Sequence, residues 1–203
     1  MQVGKLLYPV TTLGPGTRLG IWTTGCRRQC PGCANPELQE TDPSKDCPVS
    51  QLLESVRSLE FDGVTVSGGE PFLQAAELRE LVSAVRRMGI DDILVFTGYT
   101  LKELRSMNDE DVNYVLSNIA VLVDGPFVES EYVEDPLRGS ANQNVIVLNP
   151  RYQDTYDEYR KRKKTVDIFN FGNETHFIGI PSPGYDELYR SYVNGGANER
   201  VLL

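Results

Sequence analysis

Short apolar runs alternate with stretches of helical periodicity along the first 150 residues, which restricts the chain to a sheet built from βα units with mostly parallel strands. RLGIWTT (18–24), GVTVS (63–67), DILVFT (92–97) and IAVLVD (119–124) read as strands, and NVIVL (144–148) as a fifth. Between them, SQLLESVRSL (50–59) puts Leu52, Leu53, Val56 and Leu59 on one helical face. The strongest helix runs from about Leu73 to Met88, with Leu78, Leu81, Val82 and Val85 at i, i+3, i+4, i+7 spacing and Gly89 as its stop. LKELRSM and NDEDVNYVLSNI supply further helical turns before the fourth strand. Trp22 and Met88, apolar residues at strand and helix positions, are expected in the core.

Beyond Pro150 the character changes. RYQDTYDEYRKRKK is strongly charged, and TVDIFNF and ETHFIGI then flank Gly172-Asn173 as a β-hairpin. The chain therefore divides into a domain over 1–150 and a C-terminal extension over 151–203, a charged segment, hairpin and tail packed on the same domain. The basic run Arg160–Lys164 reads as a solvated helix face or charged connector. A formal net charge of −9 argues against binding along a nucleic-acid backbone, where cations must replace counterions. The N-terminal MQVGKLLYPVTT lacks the layout of a signal peptide, and no apolar run approaches membrane-spanning length. The expectation is a cytoplasmic protein without membrane or nucleic-acid partners. In that compartment thiols stay reduced, and clustered cysteines suggest metal rather than disulfides.

Three of the four cysteines fall in TGCRRQCPGCANP, where the first expected strand ends. Cys26, Cys30 and Cys33 form C-x3-C-x2-C, a spacing that wraps one tight loop around one small object. Thiolates are soft ligands suited to zinc or an iron–sulfur cluster. In one reading Cys47, alone in a polar loop, closes a four-cysteine zinc or electron-transfer site. In the other, three ligands leave one iron of a four-iron cluster open, as three ligands leave a position on a catalytic zinc; Cys47 is then a free loop thiol. The cysteines alone leave both open.

A second signal stands at the end of the second expected strand, in VTVSGGEPF. Ligands of parallel α/β sheets bind outside the carboxyl ends of the strands. Gly68 and Gly69 there permit close backbone approach, and Glu70 supplies a carboxylate for a cationic amine. An ordinary βα turn with an acidic first helical turn accounts for SGGE equally well on its own. Its position about forty residues after the cysteine loop, at a neighbouring strand end, makes the combination specific.

Together CRRQCPGC and SGGEP resemble the radical S-adenosylmethionine (radical SAM) superfamily. More narrowly, the chain is similar to the activating proteins of anaerobic (class III) ribonucleoside-triphosphate reductases. GPGTR (Gly14–Arg18), GCRRQCPGCANP, SGGEPF, VFTGYTLKEL (Val95–Leu104), VLVDGPF (Val121–Phe127) and RGSANQ (Arg138–Gln143) carry that similarity over roughly residues 7 to 148. Gly32 stands where many superfamily members place an aromatic residue before the third cysteine.

The resemblance implies an α/β fold, an incomplete (β/α) barrel of the radical SAM type with the β-hairpin as a C-terminal addition. It implies one 4Fe-4S cluster on Cys26, Cys30 and Cys33, with S-adenosylmethionine chelating the open iron. Gly68, Gly69 and Glu70 would hold its amino group, and backbone around Gly32, Cys33 and Ala34 its adenine. Thr97 and Gly98 would lie near the ribose, and Asp124 would organise the methionine end. Reduction by a flavodoxin or ferredoxin would cleave a C–S bond and yield a 5′-deoxyadenosyl radical. That radical would take a hydrogen atom from a glycine of the anaerobic ribonucleotide reductase large subunit, or of another glycyl-radical enzyme, a peptide or a small molecule. No catalytic side chain beyond the cluster and cosubstrate is implied, which suits a chain whose single histidine, His176, reads as a strand surface residue. Arg138 and Asn142 would either shape the mouth where a partner loop enters or satisfy backbone groups of a long connection.

Overall fold

The computed structural model describes residues 1–172 and 174–182. Asn173 of the expected Gly172-Asn173 turn, and the part of the extension past residue 182, lie outside the described residues. Val3–Val10 (β1) runs antiparallel to Arg18–Thr23 (β2) at one edge of a six-stranded sheet. Gly63–Gly68 (β3), Ile93–Phe96 (β4) and Val121–Asp124 (β5) follow β2 in parallel, so the sheet's centre is built from successive βα units. Tyr132–Asp135 (β6) and Arg138–Ser140 (β7) form a small antiparallel ribbon, after which Asn144–Val147 (β8) closes the far edge against β5. This last strand is antiparallel because no crossover helix lies between β5 and β8. The first strand escaped the sequence pattern because Pro9 interrupts it, a residue tolerated only where a strand has an unpaired edge.

Val49–Ser55 (α1), Ala75–Arg87 (α2), Leu101–Ser106 (α3) and Glu110–Asn118 (α4) supply the helices between the strands. Thr100 and Glu103 cap α3 reciprocally, and Asp109 accepts from the Asp111 and Val112 amides at the start of α4. Strand alternation sends Leu19, Ile21, Val64, Val66, Ile93, Val95 and Leu122 into one core with Leu78, Leu81, Val82 and Val85 of α2. Leu94, Val121 and Val123 point to the opposite face, where Tyr156 and Tyr159 of Gln153–Tyr159 (α5) cover them. Trp22 is buried as expected, but Met88 is not. It is the C-cap of α2, past the last buried residue Val85, and stands 46% exposed.

A buried charge network fixes the amino ends of the parallel strands. Arg18, fully buried, donates from Nε to Thr65 Oγ1 at 2.6 Å and from Nη1 to Asp92 Oδ2 at 2.8 Å. The Tyr156 hydroxyl donates to Asp92 Oδ1 at 2.6 Å, which ties α5 to the sheet. Breaking a buried, hydrogen-bonded pair strands the remaining charge. Arg18→Ala is therefore expected to lower unfolding stability by roughly 3–5 kcal/mol in urea titration; a loss under 1 kcal/mol would show that Asp92 finds water there.

The basic run after α5 is solvated only in its middle. Lys161, Arg162 and Lys163 are exposed, whereas Arg160 Nη2 donates to Asp135 Oδ2 at 2.6 Å. Lys164 is buried, its Nζ donating to the Val133 carbonyl at 3.0 Å and lying 4.4 Å from the centre of the Tyr132 ring. The two ends of the run are thus cations spent on the β6–β7 ribbon. Asp167–Phe171 (β9) and Glu174–Ile178 (β10) then pair antiparallel. His176 sits half-buried on β10 against Phe171, outside the cavity described next.

Candidate functional site

The carboxyl ends of β2, β3, β4 and β5 open onto one cavity of about 190 Å3. Cys26, Cys30 and Cys33 line it, together with Gly32 and Ala34 of the cysteine loop. So do Gly68, Gly69 and Glu70 after β3 and Thr97 and Gly98 after β4. Residues separated by up to 72 positions in sequence therefore share one volume, as the strand-end reasoning requires.

The glycines after β3 serve the meeting of two loops. Gly68 has φ +112°, and a Cβ on it would stand 2.3 Å from the Thr23 nitrogen; a Cβ on Gly69 would stand 2.4 Å from the Gly25 carbonyl oxygen. The Gly69 amide donates to the Thr23 carbonyl and the Glu70 amide to the Gly25 carbonyl, each at 2.8 Å. SGGE is thereby laced to the start of the cysteine loop, and only glycine permits that approach.

Glu70 is almost fully buried. Its Oε1 accepts from the Phe72 amide at 3.1 Å and the Thr97 hydroxyl at 2.8 Å, and its Oε2 accepts from the Gly98 amide at 2.8 Å. Burial pushes this carboxyl above the ordinary glutamate range, and those three donors only partly offset the shift. A carboxylate has about four acceptor sites, so three donors leave room on Oε2 for one further donor from the cavity.

All four cysteines are free and half-buried. Cys47 does not line the cavity; its amide donates to the Met1 carbonyl and it packs against the helical core. Among the described residues no three His, Cys, Asp or Glu side chains lie close enough to hold a single metal ion. A four-iron cube takes each thiolate on a different iron, so its ligands stand farther apart than those of one ion. Three soft ligands around one cavity beside a buried carboxylate fit such a cluster with a cationic ligand next to it.

Sequence reasoning missed two contributors. Arg28, inside the cysteine loop, lines the cavity with its Nε buried and, among the described residues, without a hydrogen-bond partner, while its guanidinium lies 4.6 Å from the centre of the Tyr99 ring and Nη2 3.2 Å from Glu103. An arginine in a polar loop reads as solvated, so only the fold reveals an unpaired donor suited to an anionic group. Phe177–Pro181 also line the cavity, although they lie almost thirty residues past the last expected strand of the sheet.

Three predicted residues stand off the cavity wall. Asp124 is buried at the end of β5; its Oδ2 accepts from the Leu101 amide at 2.7 Å and its Oδ1 from Asn144 Nδ2 at 2.8 Å. It ties α3 and β8 to the strand end instead of facing the cavity. Arg138 donates from Nε to Asp135 Oδ2 at 3.1 Å and from Nη1 to the Gln143 carbonyl at 2.7 Å. Asn142 donates to the Pro126 carbonyl at 2.7 Å. Both therefore satisfy the connection between β5 and β8, and it is Gly139 and Gln143 of the same loop that line the cavity.

Comparison with known proteins agrees with this geometry. Residues 12–146 match the family described as the 4Fe-4S single cluster domain. The anaerobic ribonucleoside-triphosphate reductase-activating protein of Escherichia coli is 34% identical over 151 residues, covering 68% of this chain and 94% of that protein. Its counterpart in Salmonella typhi is 35% identical over 153 residues, with 68% and 94% covered. The pyruvate formate-lyase-activating enzyme of Staphylococcus aureus is 35% identical over 91 residues, 41% of this chain and 36% of that enzyme. The chain belongs to the family of anaerobic ribonucleoside-triphosphate reductase-activating proteins, within the radical SAM group.

Proposed function

We propose that the chain is a radical SAM activase that installs a glycyl radical on an anaerobic ribonucleoside-triphosphate reductase. The observation that carries this reading is the shared cavity of Cys26, Cys30, Cys33 and Glu70 at the carboxyl ends of adjoining strands, in a chain of this family. Cys26, Cys30 and Cys33 would hold a 4Fe-4S cluster. Gly68, Gly69 and Glu70 would take the amino group of S-adenosylmethionine, and Gly32, Cys33 and Ala34 would line its adenine. Held there, the cluster would supply the electron for reductive cleavage of S-adenosylmethionine, the chemistry by which a hydrogen atom would be removed from a glycine α-carbon of the reductase large subunit.

The chain's own work is positioning. Thr97 and Gly98 hold the Glu70 carboxylate in place, a role closer to the observed hydrogen bonds than ribose contact. Asp124 sets the rim through Leu101 and Asn144. Cys47, half-buried against the core and away from the cavity, supports the open three-cysteine site over a closed four-cysteine one. The sequential order β1-β2-β3-β4-β5 supports an incomplete (β/α) barrel over 1–150, and the packing of Tyr156, Tyr159 and Ile178 supports an extension beginning at 151. A flavodoxin or ferredoxin would donate the electron in the cytoplasm; no helix among the described residues is long and apolar enough to cross a membrane.

Arg138 and Asn142 would act on the partner through the loop they brace. Arg138→Ala should lower glycyl-radical yield about tenfold, while reductive cleavage of S-adenosylmethionine without partner stays within about twofold; equal loss of both would reduce Arg138 to a purely structural role. The function itself is tested by mixing reconstituted protein, S-adenosylmethionine, a low-potential reductant and the reductase large subunit without oxygen. A glycyl doublet in electron paramagnetic resonance, collapsing when the subunit carries α-deuterated glycine, is expected. Cleavage of S-adenosylmethionine with no such signal would turn the reading toward another glycyl-radical enzyme, a peptide or a small molecule.

A further inference from the structure

Besides the cysteines, the cavity wall carries two ionisable side chains, and the activase reading uses only one of them. Among the described residues that line it, Glu70 is the single carboxylate and Arg28 the single cation. Both flank Gly98: a Cβ there would stand 2.5 Å from Arg28 Cδ and 3.5 Å from Glu70 Oε2. The ion pair that Arg28 makes among the described residues is nevertheless with Glu103 of α3, at 3.2 Å. Both Glu103 oxygens accept from one nitrogen, Nη2, and the Tyr99 ring centre lies 4.6 Å from the guanidinium carbon. One nitrogen of the three thus anchors the group. The Arg28 side chain is 25% exposed, yet its Nε is buried and makes no hydrogen bond among the described residues. Buried donors almost always have an acceptor; one without a partner in the chain, on a cavity wall, suits an acceptor brought by a ligand.

A carboxylate and a guanidinium on either side of one glycine complement a ligand with an ammonium and a carboxylate on neighbouring carbons, which is an α-amino acid. Glu70 Oε2 accepts from the Gly98 amide and has room for one further donor, the ammonium. Arg28 would take the carboxylate through charge-assisted hydrogen bonds. A polyphosphate is a poor match. One guanidinium, already shared with Glu103, would face several negative charges beside Glu70 and three thiols. The methionine end of S-adenosylmethionine carries the required pair of groups. Asp124, which the resemblance assigned to that end, is bound to the Leu101 amide and Asn144 instead. A residue of the cysteine loop is therefore the better candidate for that end, and it has the sign of charge that a carboxylate needs.

We propose that Arg28 is the carboxylate-binding residue for S-adenosylmethionine, set in place by Glu103 and Tyr99 and paired across Gly98 with the ammonium-binding Glu70. The proposal rests on the activase reading, and its test reads binding rather than radical formation. Reconstituted Arg28→Gln holoprotein is titrated with S-adenosylmethionine and with its decarboxylated analogue, which keeps the ammonium and adenosyl groups. The Kd for S-adenosylmethionine is expected to rise at least about tenfold, and that for the analogue to stay within about twofold. Iron and sulfide should remain at the unsubstituted level. An unchanged Kd for S-adenosylmethionine overturns the proposal. So does an equal loss for both ligands, which would make Arg28 a brace of the cysteine loop. Should the variant lose iron, the unsubstituted holoprotein decides, treated with an arginine-modifying dicarbonyl reagent and read by mass spectrometry. Protection of Arg28 by saturating S-adenosylmethionine but not by the analogue supports the assignment; protection by both or by neither rejects it. An unsubstituted holoprotein that binds no S-adenosylmethionine at all would remove the activase reading, and this proposal with it.

Discussion

Replacing Cys26, Cys30 or Cys33 by alanine is expected to remove most of the protein's iron and sulfide, whereas Cys47→Ser leaves both at the unsubstituted level. The three loop thiols line one cavity, so each loss leaves two ligands for a cluster that needs at least three. Weakening an outer-shell partner already costs metal sites about 10–100-fold, and losing a ligand outright should exceed that. Reductive cleavage of S-adenosylmethionine should fall more than about a hundredfold in each alanine variant. The Cys47 thiol has a different environment: it packs against the helical core, and its backbone pairs with Met1. Cys47→Ser should change stability by no more than about 1 kcal/mol and leave cleavage untouched. Iron and sulfide assays on the four variants check the prediction. Equal iron loss in all four would mean that a rearranged loop brings Cys47 to the cluster.

The second large effect is expected at Glu70. Glu70→Ala strands the Phe72 amide, the Thr97 hydroxyl and the Gly98 amide, three groups now satisfied by one carboxylate. Unmade buried bonds of this kind cost about 1–3 kcal/mol each, partly relieved by water from the cavity, so a net loss of about 2–4 kcal/mol is expected in denaturant titration. Glu70→Gln keeps the shape and removes the charge. Its fold should survive while the Kd for S-adenosylmethionine rises at least about tenfold, because a charge-assisted bond to an ammonium is roughly twice as strong as a neutral one.

The pH dependence has a definite sign. Burial raises the Glu70 carboxyl above its unfolded value, so its contribution to stability is fully present below that value and is lost as pH rises through the folded pKa. Above that raised pKa the fold carries an ionised buried carboxylate at some cost to stability, and the charge is available to a cation. Affinity for S-adenosylmethionine should therefore weaken as pH falls through the raised Glu70 pKa, and that acid limb should vanish in Glu70→Gln. Calorimetric titrations across pH check this. An identical acid limb in Glu70→Gln would assign it to another group.

The parallel core and the strand-end position of both motifs were legible because strands buried on both faces are short and apolar, and the helix of Leu78, Leu81, Val82 and Val85 is strongly periodic. Features set by tertiary contact were not. Pro9 hid the edge strand, and the antiparallel sense of β8 depends on what its connection lacks. Asp124, Arg138 and Asn142 are polar residues at loop mouths, where composition does not distinguish a group facing a ligand from one bound to its own chain; folding gives each of them backbone partners. Lys164 and Arg160 looked solvated because a charged run carries no sign of the carbonyl or carboxylate that will meet it. Arg28 and the wall at Phe177–Pro181 belong to the cavity only through folding.

The central claim is that three cysteines leave one iron of the cluster for S-adenosylmethionine. Mössbauer spectra of iron-57 protein titrated with S-adenosylmethionine test it most directly. One iron in four should change its isomer shift and quadrupole splitting on binding, in the unsubstituted protein and in Cys47→Ser alike. Four irons that keep their spectra unchanged throughout the titration would contradict the account.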